Sequence, residues 1–164
     1  MTDQRRVTVI VSIIGALAVT AYAVWGAVQI IVLAPLAAVP GRSLGEIRDE
    51  MLAAGQSPSD AAPVLFTILG IALAAVVATL VIRTRGRADL AALVFLALLM
   101  LGGPAFFVAS FGPGMSLGDT FMISGGVTLP GAAPLYAVSA FAGLGCVVLG
   151  AIVIGRSRSE PVTI

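Results

Sequence analysis

The chain has 164 residues, 59% of them hydrophobic and 10% charged, with a net charge of +1 at neutral pH. A soluble domain carries about 25% charged residues, so most of this surface is suited to lipid, and no basic face is available for nucleic acid. Lysine, histidine and asparagine are absent and Cys146 is the single cysteine. Those absences exclude a Schiff base, an imidazole base, a histidine-held metal or haem, an internal disulfide and an N-glycosylation site.

Four long apolar runs contain no charged residue. The first extends from Val7 to about Ala34, after Arg5 and Arg6. As a helix it is about 42 Å long, against a hydrocarbon core of about 30 Å. The sequence therefore predicts that its last two turns protrude, up to Pro35, with Trp25 near the interface and Gln29 just above it. The run is about twice the length of a signal-peptide core, which favours a retained span over a cleaved leader.

The loop over 35–62 is predicted to hold a short amphipathic helix at about 44–54. Ser43 and Glu46 have capping-box spacing, and Gly55 suits the position just past the helix end. Leu44, Ile47, Met51 and Leu52 fall on one side; Glu46, Arg48, Asp49 and Glu50 fall on the other. Such a helix rests on the membrane surface or the bundle top, or serves as a docking face.

The second span covers about 63–82, its start capped by Ser59 or Asp60, and it ends at a tight Arg83-Thr84-Arg85-Gly86-Arg87 turn. Gly70, Ala74 and Ala78 form a small-residue row along it. The third span covers 88 to about 111, with Asp89 near the positive end of the helix dipole. Gly102-Gly103-Pro104 interrupts it, because Pro104 removes the donor that the Met100 carbonyl would use. The expected result is a kink, or a helix break that forms a pocket as in transporters. The loop over 112–131 is glycine-rich and reads as a small β-hairpin at about 120–129. The fourth span covers about 132–154. Ser139 and Gly143 lie on one row of it, and Ala142, Cys146 and Gly150 on the next; small residues at this spacing let helix backbones approach closely. Ala61-Ala62-Pro63 recurs as Ala132-Ala133-Pro134, and Arg85 and Arg87 recur as Arg156 and Arg158; the matches reflect either two parallel helix–loop–helix units or the Ala/Val-rich composition and shared topology of the two spans, and the first and third spans do not align.

Apart from Asp89 at the start of the third, the spans hold no charged side chain, which argues against a carrier coupled to protons or ions through a buried carboxylate. Their polar atoms come from Ser12, Thr20, Thr67, Thr79, Ser110, Tyr136, Ser139 and Cys146, and the hydroxyls are expected to bond a carbonyl one turn back or on a facing helix. The acids Glu46, Asp49, Glu50, Asp60 and Asp119 belong to the loops and form an acidic outer surface. The composition, with no lysine or asparagine, suggests a GC-rich bacterial source. The sequence thus predicts an all-α integral membrane protein, a four-transmembrane-helix bundle of a bacterial inner membrane with both termini cytoplasmic. The expected role is non-catalytic: an accessory, scaffold or self-associating component whose partners are the bilayer and either a second copy or another membrane protein. No catalytic, cofactor or metal residue is assigned. The alternative is a small channel or facilitator for an uncharged or weakly polar solute at Gly102-Gly103-Pro104. Reporter fusions after Ser57, Gly86, Thr120 and Glu160 should read out, in, out and in; periplasmic activity at Gly86 or Glu160 would overturn this topology.

Overall fold

The computed structural model describes residues 3–123 and 131–158. Six α-helices follow in order: α1 (Asp3–Val28), α2 (Ala34–Ala38), α3 (Leu44–Ala53), α4 (Ala61–Arg83), α5 (Ala88–Phe121) and α6 (Ala133–Arg158), with a π-helical turn at Gln29–Leu33 joining α1 to α2. There is no strand among the described residues. Four helices are long and apolar enough to cross a membrane: α1 with its continuation to Ala38, α4, α5 and α6. Their outward surfaces carry exposed Ile, Leu, Val and Phe side chains, the inverse of a soluble protein.

Helices α1, α4 and α5 form the core, and α6 lies against α5. The most extensive pairings are α1 with α4 and α5 with α6. The central cluster contains Val19, Ala74 and Phe95, flanked by Ala16, Ala78 and Leu98. The Phe95 ring is seated against Gly15, where any Cβ would collide with it. Close approach of backbones over small residues replaces the hydrophobic effect that lipid cannot supply between helices.

One end of the molecule gathers the arginine-flanked junctions. There Thr8 Oγ1 donates to Gly86 O (3.2 Å) and ties the start of α1 to the α4–α5 turn. Arg85 adopts a left-handed φ of 54°, and Gly86 N–H reaches back to Val81 O (2.9 Å), closing α4 as a Schellman turn. Arg87 and Asp89 pair at 2.6 Å.

The other end is built by α2, α3 and the last turns of α5. Helix α3 has the expected capping box: Ser43 N–H donates to Glu46 Oε2 (2.7 Å) and Glu46 N–H donates to Ser43 Oγ (3.3 Å). Those bonds from Ser43 hold the Glu46 carboxyl below the usual carboxylate range. Gly55 ends α3 with φ 74°, its N–H bonding Leu52 O and the Gln56 N–H bonding Met51 O. Ile47 and Met51 are buried against Leu117 of α5, with Leu36, Val39 and Phe121 around them. The α3 face thus rests on the bundle end.

Four expectations change. Span 1 does not stop before Pro35. The π turn, in which Ala34 N–H bonds Gln29 O five residues back, widens the ladder just where the Pro35 ring would crowd the carbonyl four residues earlier. The helix then continues to Ala38. Asp60 occupies the N-cap position of α4 but makes no capping bond; its carboxylate accepts from Arg48 instead (2.6 Å). Helix α5 does not end at Phe111. It runs through Gly112, Pro113 and Gly114 to Phe121, because burial of Leu117 and Phe121 under α3 outweighs their weak helix propensity. Consequently the hairpin expected at 120–129 is not formed as drawn: Thr120 and Phe121 are helical. Met122 closes the helix with φ 53°, while residues 124–129 of that hairpin lie outside the described residues.

Candidate functional site

The small-residue rows are brought together as packing surfaces. On α4, Ala74 is fully buried in the central cluster with Ala78 beside it, and a Cβ at Gly70 would meet that of Ala23 at 3.5 Å. On α6, Ala142 and Ser139 are buried, a Cβ at Gly143 would lie 3.4 Å from Met100 Sδ, and Cys146 Sγ donates to Leu93 O (3.8 Å). Gly150 differs, with nothing within 4 Å of its Cβ position.

Gly102-Gly103-Pro104 lies inside a continuous helix. The two glycines receive side chains from both neighbours. The Tyr22 ring of α1 covers Gly102, and a Cβ at Gly103 would lie 3.1 Å from Ser139 Oγ of α6. Ser139 Oγ donates to Leu99 O (2.8 Å). With that proton committed, the single Tyr22 O–H proton is shared between Ser139 Oγ (2.9 Å) and Leu135 O (3.1 Å). One hydroxyl pair therefore joins α1, α5 and α6 in the apolar interior. Three of the other span hydroxyls bond carbonyls: Ser12 to Thr8 O (2.8 Å), Thr67 to Pro63 O (2.8 Å) and Ala23 O (3.3 Å), and Ser110 to Phe107 O (3.0 Å).

The acidic residues are dispersed. Glu46 is in the cap, Glu50 pairs with Arg42 and Asp60 pairs with Arg48. Asp49 lies on the exposed side of α3 and Asp119 near the end of α5. No group of three His, Cys, Asp or Glu side chains that would hold a metal occurs among the described residues.

Beneath α3 is a chamber of about 260 Å³. The π turn forms one wall, α5 another, and the start of α6 a third. Its lining is mostly apolar, including Ile30, Met51, Phe106 and Leu117, with Arg48, Asp60, Ser110 and Tyr136 also contributing. The Tyr136 ring stands edge-on to Phe106, centroids 5.7 Å apart. Gln29 belongs to the same lining. It is 2% exposed, and its buried Oε1 accepts no hydrogen bond from any described residue. Its carboxamide sits directly over Gly131, where any side chain would collide with it. One turn earlier, Trp25 Nε1 donates to Gly131 O (3.4 Å). Trp25 of α1 and Gln29 of the π turn, four residues apart, thus grip the chain as it enters α6. Sequence reasoning missed Tyr22 and the burial of Gln29. The available signal was a polar residue alone within an apolar run.

The chain matches no family model, no curated protein and no solved structure.

Close packing and hydrogen bonding at Gly102 can be separated by mutation. Gly102→Ala should cost about 1–3 kcal/mol, the range for overpacking. Tyr22→Phe should cost about 0.6 kcal/mol, the average for a hydrogen bond between membrane helices. Unfolding of the detergent-solubilised protein by heat or denaturing detergent ranks the two. A larger loss for Tyr22→Phe would show that the polar contact of α1 with α6 contributes more than the packing of α1 on α5 at Gly102.

Proposed function

We propose that the protein is a non-catalytic component of a bacterial inner membrane, with both termini cytoplasmic. It works as an accessory or scaffold, packing through α6 against a second copy or another membrane protein. Gly150 carries this reading. Glycine costs a helix interior about 1 kcal/mol relative to alanine. Gly143 and Gly145 have a reason within the chain, since a Cβ at either would press on Met100 or Leu96, at 3.4 and 3.3 Å. Gly150, at the end of the row of Ala142 and Cys146, has no such neighbour, which leaves room at that position for a contact beyond this chain.

The surroundings support the reading. Helix α6 packs chiefly on α5, and the rest of its circumference is apolar, with Phe141 72% and Val147 71% exposed. The ion pairs use Glu50, Asp60 and Asp89 for structure. Tyr22 and Ser139 occupy the space over Gly102 and Gly103, which favours a packing role for those glycines over a solute path. The arginines at three junctions set the orientation by the positive-inside rule.

Leucine substitutions on α6 test it. Gly143→Leu should lower thermal stability in detergent by about 1–3 kcal/mol, because Met100 lies in its way. Gly150→Leu should keep wild-type stability yet give a smaller particle by mass, or lose a stoichiometric partner in a mild-detergent pull-down. Ala97→Leu in Leu-rich α5 is the comparison. If Gly150→Leu matches wild type in both stability and assembly, α6 is not an association surface.

A further inference from the structure

The turn that closes α4 contains a residue that its geometry disfavours. Arg85 is held at φ 54°, the left-handed position just past a helix end that glycine fills at no steric cost. A glycine stands one residue later, at Gly86. The turn does not need the arginine side chain. Gly86 N–H already serves Val81 O, and the N–H and hydroxyl of Thr84 both serve Leu80 O. A side chain kept where the backbone resists it points to a use outside the fold.

Charge around the turn narrows that use. Thr8 Oγ1 donates to Gly86 O, so the first turns of α1 lie beside it. Arg5 precedes Thr8 by three residues and shares its helix face, with Arg6 next to it. Arg5, Arg6, Arg83 and Arg85 are all exposed, and none of them forms an ion pair among the described residues. The carboxylates on these segments are Asp3 and Asp89, and Asp89 is taken by Arg87. At the opposite end the reverse holds: Arg42 pairs with Glu50 and Arg48 with Asp60. Grouped guanidiniums without carboxylates favour an anion, and their planar fork fits phosphate oxygens two at a time.

Position separates the sources of phosphate. Val7 and Ile10 of α1 and Val76 and Leu80 of α4 are exposed, and they lead from the arginines into the apolar spans. A phosphate that carries acyl chains can meet the arginines while its chains lie on these side chains. A free phosphate or a nucleic acid gains nothing from them. A zwitterionic headgroup brings a cation of its own, which the arginines repel.

We propose that the start of α1 and the α4–α5 turn bind the phosphate of an anionic phospholipid through Arg5, Arg6, Arg83 and Arg85. The site rests on the chain spanning a membrane, not on association through α6, so Gly150→Leu should leave it intact.

The test uses the full chain in detergent, titrated with dioleoylphosphatidylglycerol or dioleoylphosphatidylcholine and read by native mass spectrometry. The anionic lipid should bind at least about tenfold more tightly. Arg85→Gly relieves the backbone, so without lipid it should melt at or above the wild-type temperature. It should nevertheless bind phosphatidylglycerol about fivefold more weakly, the loss of one cation at a membrane surface. Arg42→Gln, at the opposite end, and Arg156→Gln, on α6, should bind as the wild type does. Excess glycerol 3-phosphate should not displace the lipid. The proposal is overturned by equal binding of the two lipids, or by unchanged binding in Arg85→Gly. It is also overturned by a lower melting temperature for Arg85→Gly without lipid, which would give the arginine a structural role. Displacement by glycerol 3-phosphate would mean a soluble-phosphate site, and an equal loss from Arg42→Gln or Arg156→Gln would mean net charge alone; either result contradicts it.

Discussion

Between two helices in lipid there is no water to expel, so apolar surface alone gives little reason for one helix to prefer another to an acyl chain. Contact must come from dispersion at close range and from hydrogen bonds that lipid cannot offer. Three positions meet that constraint here. Phe95 lies on Gly15, Tyr22 lies on Gly102, and Ser139 abuts Gly103 while donating to Leu99 O. Each bulky or polar group is matched to a missing side chain opposite it. The α1–α5 contact and the attachment of α6 both follow from this pairing of large against absent, whereas α4 meets α1 through small residues, Gly70 against Ala23.

The same constraint separates the two sides of α6. Toward α5 its small residues are matched by Met100, Leu96 and the Leu93 carbonyl. Away from α5 its surface is apolar; Gly150, on the row of Ala142 and Cys146, has nothing within 4 Å of its Cβ position. At the α3 end, helices longer than a bilayer is thick have a second use. Helix α5, about 51 Å at 34 residues, projects far enough for Leu117 and Phe121 to meet Ile47 and Met51. The roof so formed encloses the chamber in which Gln29 is buried.

Charge-free runs made all four crossing helices legible, because nothing else in a short chain keeps charge out of such long stretches. The capping box at Ser43 and Glu46 and the Gly55 stop were legible because both are local, set within one turn. The row of Gly70, Ala74 and Ala78 was also readable, though its partner on α1 was not. What escaped depends on residues distant in sequence. Pro113 and its flanking glycines signal a loop, and only α3 folding over Leu117 makes helix there the better state. Asp60 looks like a helix cap until Arg48 competes for its carboxylate. Tyr22 and Gln29 look like incidental polar residues near an interface until Ser139 and Gly131 cover them.

The central claim is that α6 presents Gly150 to another helix. Disulfide trapping in native membranes tests it most directly, with Gly150→Cys in a Cys146→Ser background and Leu69→Cys, on the exposed face of α4, as the comparison. A crosslinked species, either a dimer of this chain or an adduct of defined mass, should form under mild oxidation at position 150 and not at position 69. Equal crosslinking at both positions, or none at 150, would show that α6 faces only lipid.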